Sequence, residues 1–261
     1  MRIAIGLEYD GSGYCGWQRQ SHAPSVQAEV EAAVGRVADH AVQVVCAGRT
    51  DTGVHALGQV AHFDTGAERT PRQWVLGTNS QLPGDVSVLW AQPVGPDFHA
   101  RFSACARRYR YVILNRPVRP ALERHRVCWH RRPLDEGRMA SAARALEGEH
   151  DFSAYRAVAC QARHAVRIVH VLSVAREGAY VTIDVTASGF LHHMVRNIAG
   201  VLMAIGEGAR EPAWAEEVLT QRDRTLGGVT APASGLYFME VRYPVHHTLP
   251  VQQRAQARPR I

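Results

Sequence analysis

The sequence predicts an α+β protein made of two halves, each combining helices with strands that can pair in antiparallel fashion. Residues 3–94 follow the order strand, helix, strand, strand, helix, strand. Residues 107–243 repeat that order loosely. This arrangement fits two α+β halves better than a doubly wound parallel sheet, in which each strand is followed by a helix.

In the first half, strands are predicted from alternating or continuous apolar and β-branched runs at 3–9, 42–47, 59–65 and 85–94. Ser25 is a helix N-cap, followed by apolar residues at helical spacing through residue 39. Thr70 and Gln73 form a capping-box pattern with proline at the first helical position. That pattern predicts a second helix, ending at about Ser80.

The second half is predicted from the same kinds of signal, with strands at 107–114, 166–176, 179–187 and 235–243 and helices at 135–146, 190–208 and 212–220. The two middle strands form a hairpin across Glu177 and Gly178. We place the halves at residues 1–104 and 105–245. Residues 246–261 are polar, interrupted by proline and tipped with arginine, so we expect a poorly ordered tail.

The composition is typical of a globular protein in a reducing compartment. Of the 261 residues, 46% are hydrophobic and 21% are charged. The five cysteines are scattered and never spaced as CxxC, which indicates reduced thiols and a cytoplasmic location. No signal peptide is evident, and no run approaches the roughly 20 apolar residues of a membrane span, so no membrane association is expected.

The positive charge consists entirely of arginine and is concentrated in one segment. All 30 Lys+Arg residues are arginines, which excludes Schiff-base chemistry, a P-loop lysine and a Ser-Lys dyad. Residues 101–138 contain eleven arginines and three acids, a local charge of +8, although the whole chain carries only +6. A solvated face is the simpler interpretation, but charge this concentrated is typical of nucleic-acid binding.

The first candidate site is the loop GRTDTGVHA at 48–56, between two predicted strands. Gly48 and Gly53 allow the backbone to turn, and Arg49 lies two residues before Asp51. Asp51 is a candidate catalytic carboxylate. The alternative is that Asp51 only forms an Asx-turn and that Arg49 is a surface charge.

A second candidate is the strand segment RRYRY at 107–111, which places Tyr109 on one face with Arg107, and Arg108 and Arg110 on the other. An aromatic ring flanked by arginines on a sheet can form a platform for base stacking. The alternative is an edge strand whose tyrosines pack in the core.

A third candidate lies in the predicted helix at 190–208, where His192 and Arg196 are four residues apart and would share a face beside the apolar stripe. An arginine near apolar residues generally requires a carboxylate partner, because an unpaired buried charge is costly. The alternative is a surface arginine whose aliphatic stem covers a core helix.

No metal site is predicted, although histidines occur at several candidate positions. The sequence has no HExxH motif, no cysteine pair and no tight cluster of histidines and carboxylates. A Ser-His-Asp site is equally unsupported, because no GxSxG turn occurs.

Taken together, these segments resemble the family of tRNA pseudouridine synthase A. The resemblance covers nearly the whole chain except the tail and is carried by EYDGSGYCGWQRQ (8–20), AGRTDTGVHA (47–56), SACARRYRYVILN (103–115), DFSAYRA (151–157), GFLHHMVRNIAG (189–200) and PASGLYFMEVRYP (232–244). One departure is CQARHAVR (160–167), where related sequences tend to have small hydroxyl residues after Cys-Gln.

The resemblance implies two ferredoxin-like halves sharing a curved, mixed and mostly antiparallel sheet, with an active-site cleft between them. It implies a homodimer that binds tRNA and isomerises uridine to pseudouridine in the anticodon stem-loop, at tRNA positions 38, 39 and 40, without metal or organic cofactor. Two rival interpretations are a non-catalytic RNA-binding module and a metal-dependent hydrolase.

The resemblance also implies roles for particular residues. Asp51 matches the nucleophilic aspartate, Tyr109 the tyrosine that stacks on the target base, Arg196 the arginine paired with the aspartate, and Arg49 the arginine that helps displace the flipped nucleotide. Substrate contacts are further expected from Arg107, Arg108, Arg110 and His192. Two roles stay open for Asp51, attack on the sugar or abstraction of a ribose proton, and Tyr109 is one candidate for the base at C5.

Overall fold

The computed structural model describes residues 1–250 and divides into two compact units. The N-terminal unit consists of Met1–Arg107 together with the chain from Phe238 onward, and the central unit consists of Arg108–Tyr237. The last strand therefore belongs mainly with the N-terminal unit, whereas the division at 104 and 105 predicted from the sequence followed chain order alone.

Ten strands and five α-helices make up the described chain. In chain order they are β1 (Arg2–Tyr9), α1 (Val26–Ala38), β2 (Val45–Cys46), β3 (His55–Asp64), α2 (Pro71–Asn79), β4 (Val86–Val94), β5 (Ala106–Asn115), β6 (Cys128–His130), α3 (Glu136–Arg144), β7 (Gly148–Asp151), β8 (Val166–Glu177), β9 (Tyr180–Ala187), α4 (Met194–Gly206), α5 (Trp214–Gln221) and β10 (Leu236–Arg242). None of the described helices is long and apolar enough to cross a membrane.

In the N-terminal unit the strands lie in the order β4-β1-β3-β10, with β2 paired to β3. β1 runs antiparallel to both β3 and β4. α1 begins where the Ser25 hydroxyl accepts a hydrogen bond from the Ala28 N–H, and α2 begins at a complete capping box between Thr70 and Gln73. Both predicted helix starts are confirmed.

In the central unit the strands lie in the order β5-β9-β8-β7, with β6 parallel to β5. β8 and β9 form the predicted antiparallel hairpin, in which Glu177 pairs with Tyr180. α4 contributes a buried apolar face to the core of this unit, including Met194, Ile198 and Leu202. The predicted α+β class, with mostly antiparallel strands, is confirmed.

Some element predictions were incomplete or wrong. β6 and β7 were not predicted, because strands of three and four residues provide too few positions for an alternating pattern. The helix predicted from residue 190 begins only at Met194, since His193 has a left-handed backbone with φ 62°. His192 therefore lies before the helix, and the prediction that it shares a helical face with Arg196 was wrong.

The predicted tail is only partly described. Residues 251–261 lie outside the described residues. Within the preceding segment, the Gln92 side chain donates a hydrogen bond to the Thr248 carbonyl at 2.8 Å, and Leu249 is buried. The first residues after β10 therefore contact the N-terminal unit.

Candidate active site

The candidate loop in the N-terminal unit connects β2 to β3. Thr50 is buried, whereas Arg49 on one side is exposed and Asp51 on the other is half-buried. Alternation of the side chains therefore directs one hydroxyl into the protein and leaves a guanidinium and a carboxylate on the accessible side. This is the arrangement that a residue acting on a bound substrate requires.

Backbone hydrogen bonds fix this loop at both ends. The Trp17 N–H donates to the Thr50 carbonyl at 3.0 Å, and the Gly53 N–H donates to the Tyr14 carbonyl at 3.3 Å. Within the loop, the Val54 N–H donates to the Asp51 carbonyl at 3.1 Å. The segment that follows β1 thus supports the turn that carries Asp51.

Two buried side chains, one on β1 and one on β3, support the loop. The Tyr9 hydroxyl shares a 2.8 Å hydrogen bond with the Thr50 hydroxyl, and the Gln59 amide donates to the Gly48 carbonyl at 2.6 Å. Burial raises the pKa of Tyr9, so its hydroxyl stays neutral. Gln59 itself is fully buried, so its amide is a rigid support for the loop.

Gly16 provides a third support by approaching the loop closely. Its φ is +90°, and a Cβ at this position would lie 2.5 Å from the Thr50 carbonyl oxygen. An ordinary side chain fits neither the backbone conformation nor the space. Gly16, the second glycine of the GYCGW segment, is therefore required by the geometry of the loop.

Arg107 lies near the same loop and is bound to backbone carbonyls. Its guanidinium donates to the carbonyls of Ala47 at 3.3 Å and Ala104 at 3.1 Å, and to that of Arg101. The substrate contact predicted for Arg107 stays a prediction, but part of its hydrogen-bonding capacity serves the fold.

The central unit carries the predicted stacking tyrosine on β5. Tyr109 is 8% exposed, and its ring meets that of Phe190 edge to face, with centroids 4.9 Å apart. An edge-to-face neighbour fixes the orientation of a ring. Phe190 was not singled out by the sequence, although it precedes the recognised LHHMVRN run.

Arg108 and Arg110 both bind Asp184 on β9. The shortest distances from their guanidinium nitrogens to the carboxylate are 2.6 Å for Arg108 and 3.0 Å for Arg110. All three side chains are partly exposed, so the cluster is a surface group with an excess of one positive charge. The sequence placed the two arginines on one face but offered no signal for the acid, which is distant in the chain.

Arg196 lies in the first turn of α4 and is half-buried. Its Nε donates to the Ala231 carbonyl at 2.8 Å, and its own carbonyl accepts from the Ala231 N–H at 3.1 Å. These two bonds attach the residue to the segment after α5. His192 is exposed, and its ring lies 4.0 Å from that of His193, centroid to centroid.

Asn197, next to Arg196, is a buried polar residue that sequence reasoning missed. Its amide donates to the Tyr155 carbonyl at 2.7 Å, and its oxygen accepts from the Thr230 hydroxyl at 2.6 Å and from Arg224 at 3.1 Å. A polar residue at a position facing the core was the available signal, because such residues are generally hydrogen-bonded.

Comparison with known proteins identifies the family. The sequence profile described as "tRNA pseudouridine synthase" matches residues 6–103 and 142–244. A protein named tRNA pseudouridine synthase A from Nitrosococcus oceani is 57% identical over 96% of both chains. Proteins of the same name from Methylococcus capsulatus and Pseudomonas aeruginosa are 58% and 55% identical, covering 94% and 95% of this chain and 90% and 88% of their own. The chain belongs to the tRNA pseudouridine synthase family.

Proposed function

We propose that this protein isomerises uridine to pseudouridine in the anticodon stem-loop of tRNA, with Asp51 as the catalytic carboxylate. Family membership makes it an isomerase that acts on tRNA. The observation that supports Asp51 most directly is its setting. A half-buried carboxylate is presented on a loop that is fixed by Trp17, Tyr14 and Gln59.

The reaction breaks the bond between C1′ of the ribose and N1 of uracil, rotates the base and rejoins it through C5. A carboxylate can promote this step either by attacking the sugar or by removing a ribose proton. The base must first leave the helical stack, which costs a few kcal/mol. Exposed Arg49 is suited to occupy the vacated space and contact phosphate.

The other predicted site residues extend this proposal. We assign base stacking to Tyr109, whose ring is oriented by Phe190. We assign Arg196 to the same catalytic step as Asp51. The cluster of Arg108 and Arg110, together with Arg107 and His192, contacts the RNA.

Release of tritium from C5-labelled tRNA transcripts tests the function directly. The wild-type protein should release tritium, and the single-turnover rate should survive EDTA because no metal takes part. Asp51→Asn should lower the rate by at least roughly a thousandfold while tRNA binding persists. Asp39→Asn is the matched control, because Asp39 is exposed and its left-handed backbone suits asparagine.

Two outcomes would overturn the proposal. Near-normal tritium release by Asp51→Asn would remove Asp51 from the mechanism. Tight tRNA binding by the wild-type protein without any release would favour the non-catalytic RNA-binding module. The proposed homodimer is tested separately by sedimentation equilibrium, and the cytoplasmic location by fractionation of cells.

A further inference from the structure

A cleft in the central unit is lined by three arginines. Its volume is about 320 Å3, and its walls come from Ser153, residues 156–158 and residues 222–224. Arg156, Arg222 and Arg224 line it together with one acid, Asp223. Three guanidinium groups against one carboxylate give the lining an excess of positive charge, which concentrates anions.

Asp223, the acid in this lining, accepts hydrogen bonds from its own segment of the chain. One oxygen of Asp223 accepts hydrogen bonds from the backbone N–H of Thr225 at 2.8 Å and from its hydroxyl at 2.7 Å. These bonds lower the pKa of Asp223 and hold its charge beside the following turn. Asp223 is therefore a structural cap, and its carboxylate is committed to Thr225 rather than to the arginines.

Two of the arginines retain donors for a ligand. Arg156 is half-buried, and within residues 1–250 its guanidinium has no hydrogen bond or ion pair, although the Asp151 carboxylate interacts with its charge at longer range. Arg222 is 67% exposed and makes only a long ion pair, 3.7 Å from its Nε to Asp151. A half-buried guanidinium without a bound acceptor is costly unless an anion or water satisfies it.

The third arginine connects the cleft to α4. Arg224 donates to the Asn197 oxygen at 3.1 Å and to the Thr230 hydroxyl at 3.0 Å. Asn197 is adjacent in sequence to Arg196, which the proposed mechanism uses. The wall formed by residues 156–158 is also attached to the segment before α4, because the Ala157 N–H donates to the His192 carbonyl at 2.9 Å.

We propose that this cleft binds a phosphate of the tRNA backbone through Arg156 and Arg222. The inference rests on the proposed function, because it takes tRNA as the ligand. Guanidinium groups bind phosphate oxygens with two parallel hydrogen bonds. A phosphate held here fixes one point of the RNA strand relative to Arg196, through the hydrogen bonds of Arg224 and Asn197. The cleft positions the substrate and performs no chemistry.

Equilibrium binding of a tRNA transcript across a salt series tests the cleft. Arg156→Gln should make the log-log salt dependence shallower by about one, because one phosphate contact is lost. KM for tRNA should rise roughly tenfold, with kcat at saturating tRNA within about twofold of wild type. Arg222→Gln should shift the same quantities in the same direction. Arg156→Lys should retain most of the salt dependence, because it keeps the charge.

Arg144→Gln is the control, because it removes an equal charge from an exposed position on α3 outside the cleft. If Arg156→Gln and Arg222→Gln match this control in salt dependence and KM, the cleft does not bind phosphate. Because binding is measured without turnover, the two proposals fail separately. If Arg156→Gln weakens tRNA binding but the wild-type protein releases no tritium, the proposed function is refuted and the cleft remains an RNA-binding site. Normal release with binding independent of Arg156 would refute the cleft alone.

Discussion

The position of Asp51 depends on a glycine in a different segment of the chain. Gly16 combines φ +90° with a close approach to the Thr50 carbonyl oxygen, 2.5 Å from where a Cβ would lie. Gly178, in the β8–β9 turn, also has a positive φ of +57°, but no atom lies within 4 Å of its Cβ position. A comparison of substitutions at these two positions therefore separates the effect of backbone strain from the effect of steric crowding.

Gly16→Ala should destabilise the protein by at least about 2–3 kcal/mol, because strain and a backbone collision add together. Gly178→Ala should cost only about 1 kcal/mol, since only the left-handed backbone is strained. Gly16→Ala should also lower kcat, because Thr50 must move and Asp51 moves with it. Urea unfolding and tritium release measure the two effects. Equal losses for both variants would show that crowding at Gly16 has no consequence.

Asp51 and Arg196 are expected to act in one catalytic step. Arg196→Met should therefore reduce turnover nearly as strongly as Asp51→Asn. The double variant should be little slower than either single variant, because removing two members of one catalytic unit is non-additive. Single-turnover tritium release across the four proteins provides the test. Losses that multiply would mean that the two residues contribute independently.

The residues that could be predicted from the sequence stand in short local motifs, whereas the residues that could not be predicted act through contacts with distant parts of the chain. Asp51, Tyr109 and Arg196 stand in short motifs and were recognised as candidates from local sequence. The groups that hold their surroundings could not be found in this way. Tyr9 acts on Thr50, and Asp184 on Arg108, through contacts between segments distant in the chain. Such contacts exist only after the strands have paired.

At the scale of elements, local signals were reliable where caps or long periodic runs exist. The Ser25 cap and the Thr70 capping box determine α1 and α2 through side-chain bonds to neighbouring backbone N–H groups. The start of α4 was misplaced, because Leu191 matches the helical spacing although His193 interrupts the helix with a positive φ. Apolar periodicity alone does not report a left-handed residue.

The β5–β9 pair provides an element-scale prediction through Asp184. Asp184→Asn should tighten tRNA binding by a few fold and steepen its salt dependence, because it releases Arg108 and Arg110 for phosphate contacts. Replacing either arginine by alanine should have the opposite effect. Loss of these partly exposed ion pairs should lower stability by no more than about 1 kcal/mol.

Filter binding across a salt series measures this effect. Glu149→Gln is the control, because it removes one exposed acid from β7 in the same unit. If Asp184→Asn and Glu149→Gln change binding equally, the effect reflects net charge alone, and the arginines of β5 do not contact RNA.

For the whole molecule, the net charge of a sequence segment overstates the number of arginines that are available to bind RNA. The basic segment 101–138 contains eleven arginines, yet several are bound to other groups of the protein. Arg107 binds backbone carbonyls, Arg132 pairs with Glu207, and Arg138 pairs with Glu211. In contrast, Arg156 lies outside this segment and retains its donors. Charge patterning predicted nucleic-acid binding but could not show which arginines are committed to the fold.

The fall in the free energy of unfolding as the pH is lowered from 7 to 5 should originate largely at His62 on β3. Its side chain is 4% exposed, and its Nδ1 accepts a hydrogen bond from the Ala100 N–H at 3.1 Å. Burial lowers the pKa of His62 to about 4, and the charges of Arg2 and His99 act in the same direction, whereas Asp64 opposes them. Only the neutral imidazole satisfies this environment.

Because the folded pKa of about 4 lies below the unfolded value near 6.5, His62 contributes its full stability above pH 6.5 and loses it as the pH falls toward 4. The free energy of unfolding should therefore drop by about 1–2 kcal/mol between pH 7 and pH 5. His62→Asn keeps an acceptor near the Ala100 N–H but cannot titrate, so its stability should be lower overall and should fall less steeply across this range. His170→Asn, at an exposed position on β8, should retain the wild-type slope. Urea unfolding of the three proteins at pH 5, 6 and 7 measures the slopes, and an unchanged slope in His62→Asn would assign the acid sensitivity to another group.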